Sequence, residues 1–223
     1  MSSLLYNQFC EYSDAVLDSH MRDDIWPLYA NDWVPENITI VMRLSGDFLE
    51  NLTSLMLEFE QYFPDQFVYN PEWLHTTIAF FRTPLEGYTE QDFLEVVGNI
   101  IRRYKDSMIY EFLGCLTTPA AEGVVWMLIP DQGWKEKFIA DMENELWIKQ
   151  TQKYDDPIII TLRQKMAWMC LMKYKVNPSK EQVDYIKSLK HRSLGIRRPS
   201  EILIYKTKSS LLNNAQLLWS YSL

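Results

Sequence analysis

Two stretches of this chain have the same order of predicted secondary-structure elements. In each, a strand, a helix, a second strand and a second helix follow one another. In the first stretch, residues 37–44 are rich in β-branched side chains, and residues 48–63 place apolar side chains at helical spacing. Residues 71–83, with proline at the start and just after the end, favour another strand, and residues 90–104 favour another helix. The fold must therefore hold strands and helices in alternating succession.

The second stretch repeats this order and adds strands at both of its ends. Paired strands are predicted at 110–117 and 124–129, joined through 119–123; a helix at 134–148, a strand at 165–174 and a helix at 179–189 follow, with closing strands at 201–207 and 217–223. No linker rich in Pro, Gly or Ser separates the two stretches, so we expect an α+β fold with two similar lobes. Residues 1–36 are polar and are interpreted as an irregular N-terminal arm that packs on a single bilobal domain, residues 37–223.

The composition removes several classes of protein. Apolar residues make up 47% of the 223 residues, which is enough for a packed core, and the formal net charge is −8. An acidic chain gains little affinity for a long polyanion, so binding of long duplex nucleic acid is disfavoured, whereas a small phosphorylated ligand held by a local basic patch is allowed. The sequence contains no glycine-rich phosphate loop.

Cysteine usage and hydropathy indicate the cellular compartment of such a chain. The three cysteines are far apart and lack the CxxC spacing, which argues against a disulfide framework and a zinc knuckle and favours a reducing compartment. No run of 18 uninterrupted apolar residues occurs. We therefore expect a cytoplasmic protein without a membrane span, and we expect neither a metal nor a cofactor. A monomer is compatible with these patterns.

The three histidines differ in their surroundings. His20 lies in a charged, helix-like stretch, and His191 lies among basic residues, where surface charge and a phosphate-facing patch are the two interpretations. His75 lies in an apolar strand, and alternation along a strand places Thr77 and Ala79 on the same face as His75. An acid–base group and a hydroxyl then share one surface. A hydrogen-bonded core histidine is the alternative interpretation.

The order of elements around His75 resembles that of the 2H phosphoesterases, which include 2′-5′ RNA ligase-like proteins and cyclic phosphodiesterases. The pattern Pro71-x-x-Leu74-His75-x-Thr77-Ile78 carries the resemblance, which extends over residues 36–223 and includes the closing strand pair. It implies two lobes of antiparallel sheet with helices outside and a central cleft. In that family, two His-x-Thr/Ser strands face each other across the cleft. The histidines act as general base and general acid on a 2′,3′-cyclic phosphate or a related phosphodiester, and the hydroxyls hold phosphoryl oxygens.

The second of these motifs lacks its histidine in this chain. About 90 residues after the first motif, the resemblance places Trp168 at the histidine position and Cys170 at the threonine position, with Lys173 where the family often has a basic residue. A slip by one residue would place Ala167 and Met169 there instead. Either alignment leaves His75 and Thr77 as half of a catalytic site.

The sequence leaves three functions open. The first is a protein that binds a small phosphorylated nucleotide or an RNA end in the cleft, through His75, Thr77, Trp168, Cys170, Lys173 and Arg82, with hydrolysis impaired or lost. The second is an active phosphodiesterase in which another group, such as the thiolate of Cys170 paired with His75, replaces the missing histidine. The third is a non-catalytic interaction module on the same fold. Arg43, like Arg82, is a scarce positive charge in the acidic half, where it serves either a phosphate or a surface ion pair.

Overall fold

The computed structural model describes residues 2–24, 26, 36–44, 47–85, 87–118, 122–149, 164–208, 212 and 214–223. Its helices are α1 (Ser2–Asp23), α2 (Asp47–Tyr62), α3 (Glu90–Tyr104), α4 (Trp134–Leu146) and α5 (Lys180–Ser188). Its strands are β1 (Asn37–Arg43), β2 (Phe67–Val68), β3 (Thr76–Arg82), β4 (Tyr110–Thr117), β5 (Gly123–Pro130), β6 (Ala167–Lys173), β7 (Gly195–Arg197), β8 (Glu201–Thr207) and β9 (Gln216–Ser222). The helices and strands predicted beyond residue 36 are confirmed to within a few residues at their ends, except for the start of the strand predicted at 71–83. Residues 119–121 of the predicted connection and 27–35 of the arm lie outside the described residues.

The strands form one antiparallel sheet whose two halves are alike. The order is β7-β4-β5-β6-β3-β1-β8-β9, with β2 beside β6. The halves meet where β3 and β6 pair through Thr76 and Met169. The chain builds most of the first half, then the second half, and returns with β8 and β9 to the first. The α+β architecture with two similar lobes is thereby confirmed.

One face of the sheet carries α2, α3, α4 and α5 and the main hydrophobic core. Each of these helices turns an apolar stripe to the sheet, represented by the buried side chains of Phe59, Ile101, Phe138 and Ile186. Capping boxes begin two of them: the Thr89 hydroxyl accepts from the backbone of Asp92 at α3, and the Ser179 hydroxyl accepts from that of Gln182 at α5. These caps determine where the helices begin. None of the helices that the structure describes combines the length and the apolar character needed to span a bilayer.

The opposite face of the sheet is covered by α1 over β4, β5 and β6. Tyr6, Phe9 and Cys10 are buried there in a second apolar cluster with Leu116, Val125, Met127 and Met166, which we call the α1 cluster. The interpretation of residues 1–36 as an irregular arm is wrong over Ser2–Asp23, which form a 22-residue helix. The buried residues Tyr6, Phe9, Cys10, Ser13 and Leu17 recur at intervals of three and four, so the helical period was present among the polar residues.

Polar contacts join α1 to α5 and to the turn that follows α5. The Tyr6 hydroxyl donates a hydrogen bond to the carbonyl of Lys190. The ammonium of Lys190 lies 2.7 Å from a carboxylate oxygen of Asp14, and that of Lys187 lies 2.5 Å from a carboxylate oxygen of Asp18. At about 0–1 kcal/mol each, such exposed ion pairs orient the helix more than they stabilise it. The apolar cluster supplies most of the docking energy.

The strand that follows Pro71 begins later than predicted. The sequence placed the start of the strand at Pro71, whereas Pro71–Trp73 form a 3₁₀ turn and β3 starts at Thr76. The Asn70 side chain accepts a hydrogen bond from the backbone N–H of Glu72, and proline at the first helical position suits such a turn. His75 therefore lies just before β3, between the turn and the strand.

Candidate functional site

His75 and Thr77 lie where the two halves of the sheet meet, on the face opposite the main core. The pair of Thr76 with Met169 sets the register between β3 and β6, and the pair of Thr76 with Met42 sets the register between β3 and β1. In an antiparallel pair, opposite residues share a face, so side chains one position away from these pairs point to the other side of the sheet. Two cross-strand rows follow, which we call the histidine row (Arg43, His75, Cys170) and the threonine row (Val41, Thr77, Trp168).

His75 is oriented by its own backbone. Its Nδ1 lies 2.7 Å from the carbonyl oxygen of Trp73. A carbonyl only accepts hydrogen bonds, so Nδ1 carries the proton of the neutral ring and Nε2 keeps a lone pair. No hydrogen bond joins Nε2 to another of the residues that the structure describes. The half-buried ring thus presents a proton acceptor.

The surroundings of His75 favour the neutral imidazole. Burial lowers its pKa below the ordinary value of 6.5, because a charged ring is poorly solvated there. The hydrogen bond to the Trp73 carbonyl acts in the opposite direction, and the positive charge of Arg43 lowers the pKa further. At pH 7 the ring is therefore neutral and able to take up a proton.

This shift predicts a dependence of stability on pH. Because the pKa of His75 is lower in the folded chain than in the unfolded one, its contribution is complete above about pH 6.5 and is lost as the pH falls through the folded-state value. We expect urea unfolding at pH 7.5 and pH 5.5 to show a larger loss of stability for the wild-type chain than for His75→Gln. An NMR titration that gave His75 a pKa of 6.5 or more would contradict this.

Thr77 presents its hydroxyl beside His75 on the same face. It is half-buried, and no hydrogen bond joins this hydroxyl to another described residue. The expectation that Ala79 shares this face is wrong, since Ala79 is 1% exposed and lies in the main core with Ile78. A β-bulge causes the change: the register between β1 and β3 shifts after Ile40, so two neighbouring residues of β3 both face the core.

Trp168 and Cys170 lie on the same face as His75 and Thr77. The alternative alignment by one residue is disfavoured, because Ala167 and Met169 are each 1% exposed in the main core. Trp168 and Cys170 are half-buried and pack against the α1 cluster. The part of this sheet face that would carry the second motif thus packs largely against α1.

Cys170 is unsuited to act as a nucleophile at neutral pH. Burial raises the pKa of its thiol, an effect that Lys173 and a hydrogen bond from Tyr69 only partly oppose. The sulfur lies 3.7 Å from the carbonyl oxygen of Met172, to which the protonated thiol donates. The geometry therefore favours a thiol over a thiolate paired with His75.

The remaining two predicted ligand residues point elsewhere. The ammonium of Lys173 lies 3.2 Å from a carboxylate oxygen of Glu122, which engages its charge. Arg82 ends β3, seven residues after His75, and at about 3.3 Å per residue this is roughly 23 Å away. The structure thus brings His75, Thr77, Trp168 and Cys170 together, but it does not bring Lys173 or Arg82 to the same phosphate.

Arg43 is a basic residue close to His75. The sequence left open whether it serves a phosphate or a surface ion pair. It lies in the histidine row, and adjacent strands are about 4.8 Å apart. Its Nε is buried and has no hydrogen-bond partner among the described residues. Leaving such a donor unpaired costs about 1–3 kcal/mol, and more for a charged group. No ion pair joins its guanidinium to a carboxylate among the described residues, although Glu201 lies opposite it on β8. The signal in the sequence was an arginine near the end of an otherwise apolar strand.

Other features of the described chain are weaker candidates for a ligand or metal site. A cavity of about 560 Å³ near the far end of β3 is lined by Glu36, Glu90, Lys206 and Lys208 among others, but Lys206 is paired with Glu90 at 2.7 Å. Within the described ranges, no group of three or more His, Cys, Asp or Glu side chains could hold a metal ion.

Comparison with known proteins establishes the fold. No family model and no curated protein matches the sequence. Among solved structures, E. coli LigT complexed with NADP⁺ is similar with a TM-score of 0.51 and 10% identity, over 85% of this chain and 98% of that one. The protein TT0787 of Thermus thermophilus is similar with a TM-score of 0.50 and 16% identity, over 84% of this chain and 97% of that one. The chain has the α+β fold of these proteins, as its resemblance to the 2H phosphoesterases led us to expect.

Proposed function

We propose that this protein binds a small phosphorylated nucleotide in the cleft between its two halves, with phosphodiester hydrolysis impaired or lost. The observation that carries the proposal is the shared orientation of His75 Nε2 and the Thr77 hydroxyl. Both lie on the sheet face opposite the main core, and neither has a hydrogen-bond partner among the described residues. The Thr77 hydroxyl donates to one phosphoryl oxygen, and Nε2 donates to another once the imidazole has taken up a proton beside the anionic ligand. The similar fold of E. coli LigT, which is complexed with NADP⁺, supports a nucleotide as the ligand.

Hydrolysis is impaired because only one of two proton transfers has a catalyst. Cleavage of a cyclic phosphodiester requires a base for the water and an acid for the leaving alkoxide, and each is typically worth about 10²- to 10⁴-fold in rate. His75 can serve as one of them. Trp168 stands where the other is needed, and an indole N–H does not titrate usefully. The half-buried indole instead offers a flat surface on which a base can stack.

The compartment and the size of the ligand follow from charge and cysteine state. Cys10 and Cys115 are buried free thiols, and Cys170 is a half-buried one, which supports a reducing, cytoplasmic location. The net charge of −8 opposes a long duplex, so the proposal is limited to a free nucleotide or an RNA end.

Calorimetry with nucleotides tests the proposal. We expect the wild-type chain to bind a nucleoside phosphate, and we expect His75→Ala and Thr77→Val each to weaken binding about tenfold or more, because each removes a hydrogen bond to a charged group. Thr53→Val, at a half-buried threonine of α2 whose hydroxyl donates to the carbonyl of Leu49, is the matched control and should leave the affinity unchanged.

Assays of hydrolysis separate the alternatives. Turnover of 2′,3′-cyclic nucleotides or 2′-5′-linked oligomers that is rapid and lost in His75→Ala would favour an active phosphodiesterase instead. A wild-type chain that gives no heat with any nucleotide would leave the interaction module as the surviving hypothesis.

A further inference from the structure

We propose that Arg43 is the principal anion-binding residue of this site and that the site takes a terminal phosphate group, as in a nucleoside monophosphate, in preference to an internal or cyclic phosphodiester. The inference rests on the proposed function and narrows it. Arg43, His75 and Thr77 come from the neighbouring strands β1 and β3 and the turn before β3. They form a one-sided site in the first half of the sheet.

The state of the Arg43 side chain supports this role. An arginine within a sheet normally pairs its guanidinium with a carboxylate or with backbone carbonyls, because its five N–H groups are strong donors. Arg43 has a buried Nε without a partner, and none of the described carboxylates forms an ion pair with it. The guanidinium is therefore a positive charge that no described carboxylate neutralises.

The neighbours of Arg43 determine what it can hold. His75 is adjacent in the histidine row, close enough that the charge of Arg43 lowers the pKa of the imidazole. Thr77 lies two residues further along the same face. On the other side, Glu201 of β8 is the acidic residue opposite Arg43. A guanidinium, a hydroxyl and an imidazole that takes up a proton when the anion binds together match three oxygens of one phosphate.

The other half of the cleft explains the preference for a terminal group. A phosphodiester held between two similar halves needs donors from both of them, but Trp168 and Cys170 pack on the α1 cluster and the Cys170 thiol donates to the carbonyl of Met172. All the donors thus come from one side. A phosphomonoester at pH 7 carries a charge of about −1.5 to −2 and three terminal oxygens, whereas a diester carries one charge and two such oxygens.

The test uses the full chain, with binding constants measured for inorganic phosphate, a nucleoside monophosphate and the matching 2′,3′-cyclic phosphate. We expect the monophosphate to bind at least tenfold more tightly than the cyclic phosphate. Arg43→Gln should weaken binding of the monophosphate by about 10- to 100-fold. The affinity of Arg43→Lys should lie between those of Arg43→Gln and the wild type, because lysine keeps the positive charge but lacks the paired N–H donors of the guanidinium. Arg102→Gln, an exposed arginine on α3 bonded to Asn99, is the matched control. Inorganic phosphate that bound as tightly as the monophosphate would identify free phosphate as the ligand of the same site.

NMR of the three imidazoles supplies an independent readout. His20, His75 and His191 are the only histidines, so each can be followed separately. In the free protein, Arg43→Gln should raise the pKa of His75. Addition of the monophosphate to the wild type should also raise the pKa of His75.

The outcomes distinguish the two proposals. Binding that is lost in His75→Ala but unchanged in a folded Arg43→Gln variant overturns the role of Arg43 and leaves the proposed function standing. Equal or tighter binding of the cyclic phosphate overturns the preference for a terminal group. A wild-type chain that binds none of the three ligands overturns both proposals.

Discussion

Substitution of Phe9 by aspartate is expected to detach α1 from the sheet and to lower the free energy of unfolding by about 4 kcal/mol or more. Phe9 is 1% exposed at the centre of the α1 cluster. Removal of a buried phenyl ring typically costs about 3–5 kcal/mol. The carboxylate that replaces the ring has no cation partner within the cluster, so its burial adds to the cost. A folded protein has only about 5–15 kcal/mol of stability, so this one change removes a large part of it.

The neighbouring residue on the same helix provides the matched control. Gln8 is exposed, so Gln8→Asp adds the same charge to α1 and should change the free energy of unfolding by no more than about 0.5 kcal/mol. Chemical denaturation measures both variants. Thiol labelling reports on α1 itself, since Cys10 is 5% exposed in the docked helix and should react much faster in Phe9→Asp. Equal stability and equal labelling in the two variants would show that α1 is not docked as described.

The docking of α1 also limits which part of this sheet face a ligand can contact. On this face of the sheet, the half that contains Trp168 and Cys170 contacts a helix, and the other half contains Arg43, His75 and Thr77. The histidine missing from the second motif and the docked helix α1 thus affect the same half of the sheet face. Both features make the site one-sided.

Much of the fold was predictable from the sequence because each element beyond residue 36 has a clear hydrophobic period. The helix at Glu90–Tyr104 was predicted with its bounds, since its apolar stripe is regular. The helix at Ser2–Asp23 was missed because its buried stripe includes Tyr6, Cys10 and Ser13, which look polar or neutral in a sequence. Their burial depends on the sheet face that they contact, and a local pattern does not contain that information.

The candidate site was predictable in its residue types and less so in its geometry. His75 and Thr77 were found because alternation along a strand places them on one face. The exact face of Ala79 depends on a bulge in the pairing with β1, and the availability of Arg43 depends on which carboxylates surround it in space. Lys173 and Arg82 were chosen for their charge, which the fold directs to Glu122 and to the far end of β3. Which residues these side chains contact depends on strand pairing between distant parts of the chain.

Restoration of the second motif by Trp168→His with Cys170→Thr is expected to raise the rate of cyclic phosphodiester hydrolysis by about 100-fold or more over that of the wild-type chain. The register places position 168 opposite Thr77 and position 170 opposite His75. The new histidine and hydroxyl would then face the old ones as two antiparallel His-x-Thr strands do. A second proton-transfer group is typically worth about 10²- to 10⁴-fold. Initial rates with a 2′,3′-cyclic nucleotide measure the gain.

A further change in the same background identifies the source of any new activity. Addition of His75→Ala to the double variant should return the rate to the wild-type level, because the restored histidine then lacks its partner. Loss of the Trp168 indole weakens the packing on α1, so the variants need to be compared at a temperature where circular dichroism shows all of them folded. A double variant that folds and binds nucleotide but stays inactive would mean that α1, and not the missing histidine alone, prevents hydrolysis. Combining it with Phe9→Asp would then separate the two causes, because detachment of α1 should release the activity only if the helix is the barrier.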